Sequence, residues 1–216
     1  MTIRVDYFSD VLCVWAFINE SRLQEVKDKL GKDLDINMLF LPNFSDCHNK
    51  ISNAWAERGG FSGYAEHVVE VAEKFDITLH SDTWFKVRPT TSMLAHSAIQ
   101  SVLAVHNKEK AADYCSAIRE GFFMNALDIS QWQVLKDIAL KLNIDWEKVD
   151  QYFHQGLGLA NLQQNFQQAV AQHITISPAW VFNEGRQKLI GNVGYRVIEA
   201  NLKELIENKP LPQAWC

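Results

Sequence analysis

Apolar and polar side chains alternate from Ile3 to Phe8, with Ile3, Val5 and Tyr7 set against Arg4 and Asp6. A period of two predicts a strand. Beyond Ser9 and Asp10 a helix-like pattern runs to Leu30, with Gly31 placed to cap it. Asp35 to Leu41 (DINMLFL) predicts a second strand, ended by Pro42. Strand, helix and strand in such quick succession predict a parallel βαβ unit with a right-handed crossover.

Helical periodicity then takes over. Tyr64, Val68, Val71 and Phe75 draw one apolar stripe. Thr90 to Val105, Lys108 to Phe123, Ser130 to Leu142 and Asp145 to His154 read as further helices, with Ser130 and Asp145 as N-caps. No strand signal interrupts this stretch. Gly158 to Gln172 is helical again, followed by Ile174-Thr175-Ile176-Ser177-Pro178. Ala179 to Phe182 and Lys188 to Ile190 flank the turn Asn183-Glu184-Gly185-Arg186, which predicts a hairpin. A last helix covers Tyr195 to Glu207, and Pro210 and Pro212 close the chain.

A βαβ half and an αββα half with helices between them predict an α/β protein: one mixed sheet in the thioredoxin arrangement, with a large helical insertion. The division expected is a thioredoxin-fold domain of residues 1–50 and 157–216 and an inserted helical subdomain of residues 51–156.

At 216 residues, 47% hydrophobic and 22% charged, the chain can bury a substantial core. A formal net charge of −5 with scattered Lys and Arg speaks against nucleic acid or an anionic membrane as partner. The start of the chain lacks a basic segment followed by an apolar one, and no run approaches the roughly 18 apolar residues needed to span a bilayer. The expectation is a cytoplasmic protein. The cysteines at 13, 47, 115 and 216 do not read as a disulfide framework, and the histidines show no zinc-ligand spacing.

Cys13 carries the first candidate chemistry. It follows the first strand and opens the first helix, where free amides and the helix dipole favour a thiolate, the attacking form. It also sits in the apolar run Val11 to Phe17, and cysteines are often inert core residues. Ser177-Pro178 carries the second. Cis forms account for only about 5–6% of X-Pro bonds, so alone this proline reads as a helix stop.

The two features together resemble the DsbA-like thioredoxin-fold family. The nearest likeness is to the cytosolic branch of FrnE-type oxidoreductases, 2-hydroxychromene-2-carboxylate isomerases and kappa-class glutathione transferases. Asp10-Val-Leu-Cys13-Val-Trp-Ala16-Phe-Ile is similar to that family's D-x-x-C-P-W-C-x-I segment. Pro89-Thr-Thr-Ser-Met-Leu-Ala95-His96 is similar to its helix start ending in Ala-His. Ile176-Ser177-Pro178-Ala-Trp-Val-Phe-Asn183, followed by Leu189-Ile190-Gly191, is similar to its cis-proline loop and closing hairpin.

The resemblance implies that Cys13 is the nucleophile and Pro178 a cis proline facing it. The backbone of Ser177 would pair with a bound peptide or glutathione. Trp15 would shape the rim, and Trp180 would pack beneath the site or simply fill the core. His96 would border the cleft, although a surface or core histidine is an equal alternative. No tightly bound cofactor is implied. Glutathione as co-substrate, or proteins carrying thiols or disulfides, are the implied partners, and a homodimer stays open.

The sequence departs from the family where its dithiol members carry a second cysteine. Ala16 stands there, and Val14 replaces the intervening proline. A Cys-x-x-Cys cycle is therefore excluded at this site. Three readings follow: a single-thiol oxidoreductase or disulfide isomerase, a glutathione-dependent transferase or isomerase with Cys13 where kappa-class enzymes have serine, and a non-catalytic binding protein. Cys47, in the loop Phe44-Ser45-Asp46-Cys47-His48, is the candidate resolving thiol. Cys115 reads as helix core, and Cys216 as an accessible terminal residue prone to incidental oxidation.

Overall fold

The computed structural model describes residues 2–207, so Pro210, Pro212 and Cys216 lie outside the described residues. The first strand, β1 (Ile3–Ser9), leads through a short turn into α1 (Val14–Ile18) and α2 (Glu20–Leu30). One helix was expected here, but the chain bends at Asn19. Its buried side chain donates to the Tyr7 hydroxyl, and its backbone leaves the regular helix. Gly31 does not form a left-handed cap. It begins a right-handed 3₁₀ turn, Gly31–Asp33, that delivers the chain into β2 (Leu34–Phe40).

The helical block is α3 (Cys47–Ala54), α4 (Gly60–Glu73), α5 (Met93–Val105), α6 (Lys108–Phe123), α7 (Trp132–Lys141), α8 (Trp146–His154) and α9 (Leu157–Ala171). Helix α3 corrects the expected loop. Asp46 caps it by accepting the Asn49 amide, which makes Cys47 its first residue. Gly63 lies inside α4, where only glycine fits, because a Cβ there would meet the Arg58 carbonyl oxygen at 1.7 Å. Residues 76–92 are irregular, where continuous helix was expected. The Thr83 hydroxyl anchors them by donating to the Phe122 carbonyl, and the fully buried Trp84 pins them to the core. Asp145 caps α8 as expected, but Ser130 caps nothing and instead donates its hydroxyl to Asp128.

The chain closes with β3 (Ala179–Phe182), β4 (Gln187–Ile190) and α10 (Tyr195–Glu207). The sheet order is β2-β1-β3-β4, with β1 parallel to β2 and antiparallel to β3, and β3 antiparallel to β4. The βαβ and ββα halves therefore share one mixed sheet, the thioredoxin fold with a helical insertion.

Val5, Tyr7, Trp180 and Phe182 bury one face of the sheet against α2 and α10. Phe8, Leu39, Leu41, Ala179 and Val181 bury the other with Ala169 of α9 and Ile174. The largest apolar cluster packs the helical block against α1 and the turn that precedes it. Phe8 lies opposite Ala179, so this topology brings the residue before Pro178 to the end of β1 where the turn begins.

Candidate functional site

Asp10 organises that turn. Its carboxylate is fully buried and accepts hydrogen bonds from the Leu12 amide (2.9 Å), the Phe44 amide (2.9 Å) and the Ser92 hydroxyl (2.8 Å). Its own amide donates to the Ser177 hydroxyl at 3.0 Å. One residue thus ties together the loops after β1 and β2, the start of α5 and the approach to β3. Burial pushes the Asp10 carboxyl up to about 6 despite these donors, because removing a carboxylate from water costs more than they return.

Cys13 is the N-cap residue of α1, with extended backbone and only 8% of its surface exposed. Its sulfur donates to the Ser177 carbonyl at 3.3 Å, and the Ser177-Pro178 peptide bond is cis. The thiol and the proline-led strand from the far end of the chain therefore meet, as the resemblance implied. The charge state differs from expectation. Burial pushes the Cys13 thiol up, and the nearby Asp10 carboxylate adds to the rise. The Ser177 side chain and the amides of Ala16 and Trp15 pull it partway back by hydrogen bonding. At this helix end desolvation outweighs the amides, so the resting group is a thiol.

The remaining candidates fall at different depths. Trp15 is half-buried beside Cys13, with its ring edge-on to Phe75 at 6.0 Å, which fits a rim residue. Ser177 and Pro178 are buried, whereas Ile176 is 52% exposed and presents the outer lip. His96 does not border the cleft. It is fully buried beneath the turn, where its Nε2 accepts the Val11 amide at 3.1 Å and its ring stacks on Phe40. Burial and the charge of Arg119 hold it well below the usual histidine range, so it stays neutral. An Nε2 acceptor lying 3.7 Å from Asp10 Oδ1 makes a packing contact there, not an ion pair.

Cys47 is fully buried, and its sulfur lies 3.5 Å from the Phe44 carbonyl oxygen. Burial raises its thiol to about 12. Cys13 and Cys47 are both free, and both act electrostatically on the buried Tyr64 hydroxyl. Cys115 is buried in α6 as expected, its thiol pushed up to about 11. Trp180 is fully buried on the α2/α10 face, edge-on to Tyr7 at 4.8 Å, so it fills the core.

Sequence reasoning passed over Asp10, Ser92 and Tyr64 as site-building residues. The available signals for Asp10 were an acidic residue beside an apolar run and its match to the leading Asp of the family segment. Among the described residues there is no cluster of histidine, cysteine and acidic groups able to hold a metal, and no helix long and apolar enough to cross a membrane.

Residues 4–203 match the model of the DSBA-like thioredoxin domain. The ClpXP adapter protein SpxH of Bacillus subtilis is 19% identical, over 95% of this chain and 68% of that protein. A candidate protein disulfide isomerase from Nitrosomonas europaea superposes with a TM-score of 0.80 at 16% identity, covering 96% of this chain and 98% of its own. The cytosolic disulfide reductase DsbM from Pseudomonas aeruginosa superposes with a TM-score of 0.71 at 16% identity, covering 94% and 99%. DsbM has also been solved with GSH.

Proposed function

This chain belongs to the DSBA-like thioredoxin domain family, and on that premise we propose that it is a thiol–disulfide exchange protein with Cys13 as its single nucleophile and glutathione or a protein thiol as second reactant. The observation that carries this reading is the Cys13 sulfur held 3.3 Å from the Ser177 carbonyl at the cis proline. An extended thiol or disulfide substrate that pairs with the Ser177 backbone brings its own sulfur toward Cys13.

In the first step the Cys13 thiol loses its proton to solvent, and the thiolate attacks one sulfur of a disulfide. A Cys13–substrate S–S bond forms, the original S–S bond breaks, and the second half leaves as a thiolate that takes up a proton. In the second step an external thiolate attacks the mixed disulfide at the substrate sulfur and returns Cys13. With Ala16 in the resolving position and Cys47 buried, the second thiol comes from outside. The raised thiol limits the thiolate fraction at neutral pH, and the greater nucleophilicity of a basic thiolate offsets this in part. DsbM is a cytosolic disulfide reductase by name, and in a cytosolic setting of that kind glutathione supplies the external thiol.

Oxidised glutathione and intact-mass analysis test this in a Cys216→Ser background. One glutathionyl group is expected, on Cys13, stable until reduced glutathione is added and absent from Cys13→Ser. An adduct confined to other cysteines, or no adduct at all, rejects the mechanism.

One observation favours a second reading. A protonated Cys13 is a hydrogen-bond donor, the role a hydroxyl plays at this place in kappa-class transferases. In that case the protein is a glutathione-dependent transferase or isomerase. It then binds reduced glutathione reversibly in calorimetry, and Cys13→Ser retains the binding. A non-catalytic binding role, of the kind the adapter name of SpxH describes for that protein, gains support if Cys13→Ser changes neither assay.

A further inference from the structure

β2 is an edge strand, and its outer side borders a cleft of about 590 Å³ that does not include Cys13. Leu41 donates its amide inward to Ser9, so along β2 the odd-numbered residues bond to β1 and the even-numbered ones face outward. Two outward amides are already used: Leu34 donates to the Gly31 carbonyl, and Phe40 to the Asn165 side-chain oxygen at 3.1 Å. Ile36 and Met38 lie between these stops, with their N–H and C=O groups directed into the cleft. Helix α2 forms one wall, and α5, α6 and α9 form the others.

We infer that this slot takes an extended peptide carrying a basic side chain, which adds to the sheet as a strand beside β2. The backbone supplies recognition through Ile36 and Met38, in the manner of strand addition. The charges supply the sign. Lys108 is paired with Asp35, and Arg4 with Asp6. Among the described residues the lining side chains left without an ion-pair partner are Glu109 and Asp113 on α6 against one cation, Lys27. The surplus is negative. Lys108 also donates to Asn37 and so straps the edge of β2, the kind of lysine guard that keeps edge strands from pairing indiscriminately. Because this pair is half exposed, a strand can displace it readily.

The test uses a fluorescein-labelled, thiol-free peptide of alternating valine and threonine with one central lysine. The expected result is saturable anisotropy and slowed hydrogen exchange at the Ile36 and Met38 amides. A glutamate in place of the central lysine weakens binding, and Lys108→Ala strengthens it, each by roughly severalfold. N-methylating alternate peptide residues, which removes the paired donors, weakens binding by roughly tenfold or more. Ile36→Pro does the same while leaving the rate of Cys13 alkylation unchanged, since proline is tolerated on an edge whose N–H faces outward. Absence of saturable binding, equal binding of the N-methylated peptide, or protection at residues 176–178 instead of β2 overturns the proposal. The peptide has no sulfur, so failure here leaves the Cys13 reading intact, and failure at Cys13 leaves this one intact.

Discussion

Asp10 and Cys13 stand three residues apart, and burial makes each hold its proton more tightly. For Asp10 the folded carboxyl binds its proton more tightly than the unfolded one. Its contribution to stability is therefore full below about 3.8 and is lost as pH rises through about 6. A shift of that size corresponds to about 3 kcal/mol. Asp10→Asn, which cannot ionise, should flatten the stability profile between about pH 4 and 6 in urea titrations. Asp10→Ala should cost about 2–4 kcal/mol, because the Phe44 and Leu12 amides lose their acceptor. For Cys13 the raised thiol predicts slow iodoacetamide alkylation at pH 7. The rate should still be climbing at the pH where an ordinary thiol levels off, whereas a plateau near pH 7 contradicts the desolvated site. Cys13 and Pro178 were legible because each follows or precedes a strand in a recognisable order. The Phe44 and Ser92 bonds to Asp10 were not, since they join residues 34 and 82 positions apart without any local pattern.

At the level of elements, strongly periodic segments were readable and tertiary contacts set the rest. Helix α6 and strand β3 begin and end where the pattern places them. Helix α5 starts three residues later than expected: the Thr90 carbonyl accepts the Cys47 amide instead of a helical one, and Ser92, the N-cap residue, gives its hydroxyl to Asp10. Gly156-Leu157-Gly158 has a faint look of a dinucleotide loop, but its second glycine has a packing role. A Cβ on Gly158 would meet the Ser101 hydroxyl at 2.3 Å and the Ser97 carbonyl oxygen at 2.6 Å, so α9 can approach α5 only with glycine there. Gly158→Ala should lower stability by about 1–3 kcal/mol, seen as a drop in the thermal midpoint. An unchanged midpoint means that α5 and α9 can separate freely.

Across the whole molecule, Arg119 joins the helical block to the sheet. From α6 its buried guanidinium donates to Glu20 at the start of α2 (2.7 Å) and to the Ser9 hydroxyl at the end of β1 (2.7 Å). Removing it takes away the ion-pair partner of the Glu20 carboxylate and the donor to the buried Ser9 hydroxyl, so Arg119→Ala should cost about 3–5 kcal/mol in urea unfolding, and Arg119→Met less. A cost below about 1 kcal/mol shows that the block is held by apolar packing alone. No sequence pattern marks an arginine for burial, whereas the βαβ and ββα order that surrounds it was plain. That order also places the central strand first in the chain and its antiparallel neighbour near the end, 164 residues separating Cys13 from its carbonyl partner. On the ribosome, then, the sulfur emerges long before the segment that shelters it. Stalled chains that stop at the end of α9 should react with maleimide faster than the finished protein, because they lack the carbonyl and the strand that cover the sulfur.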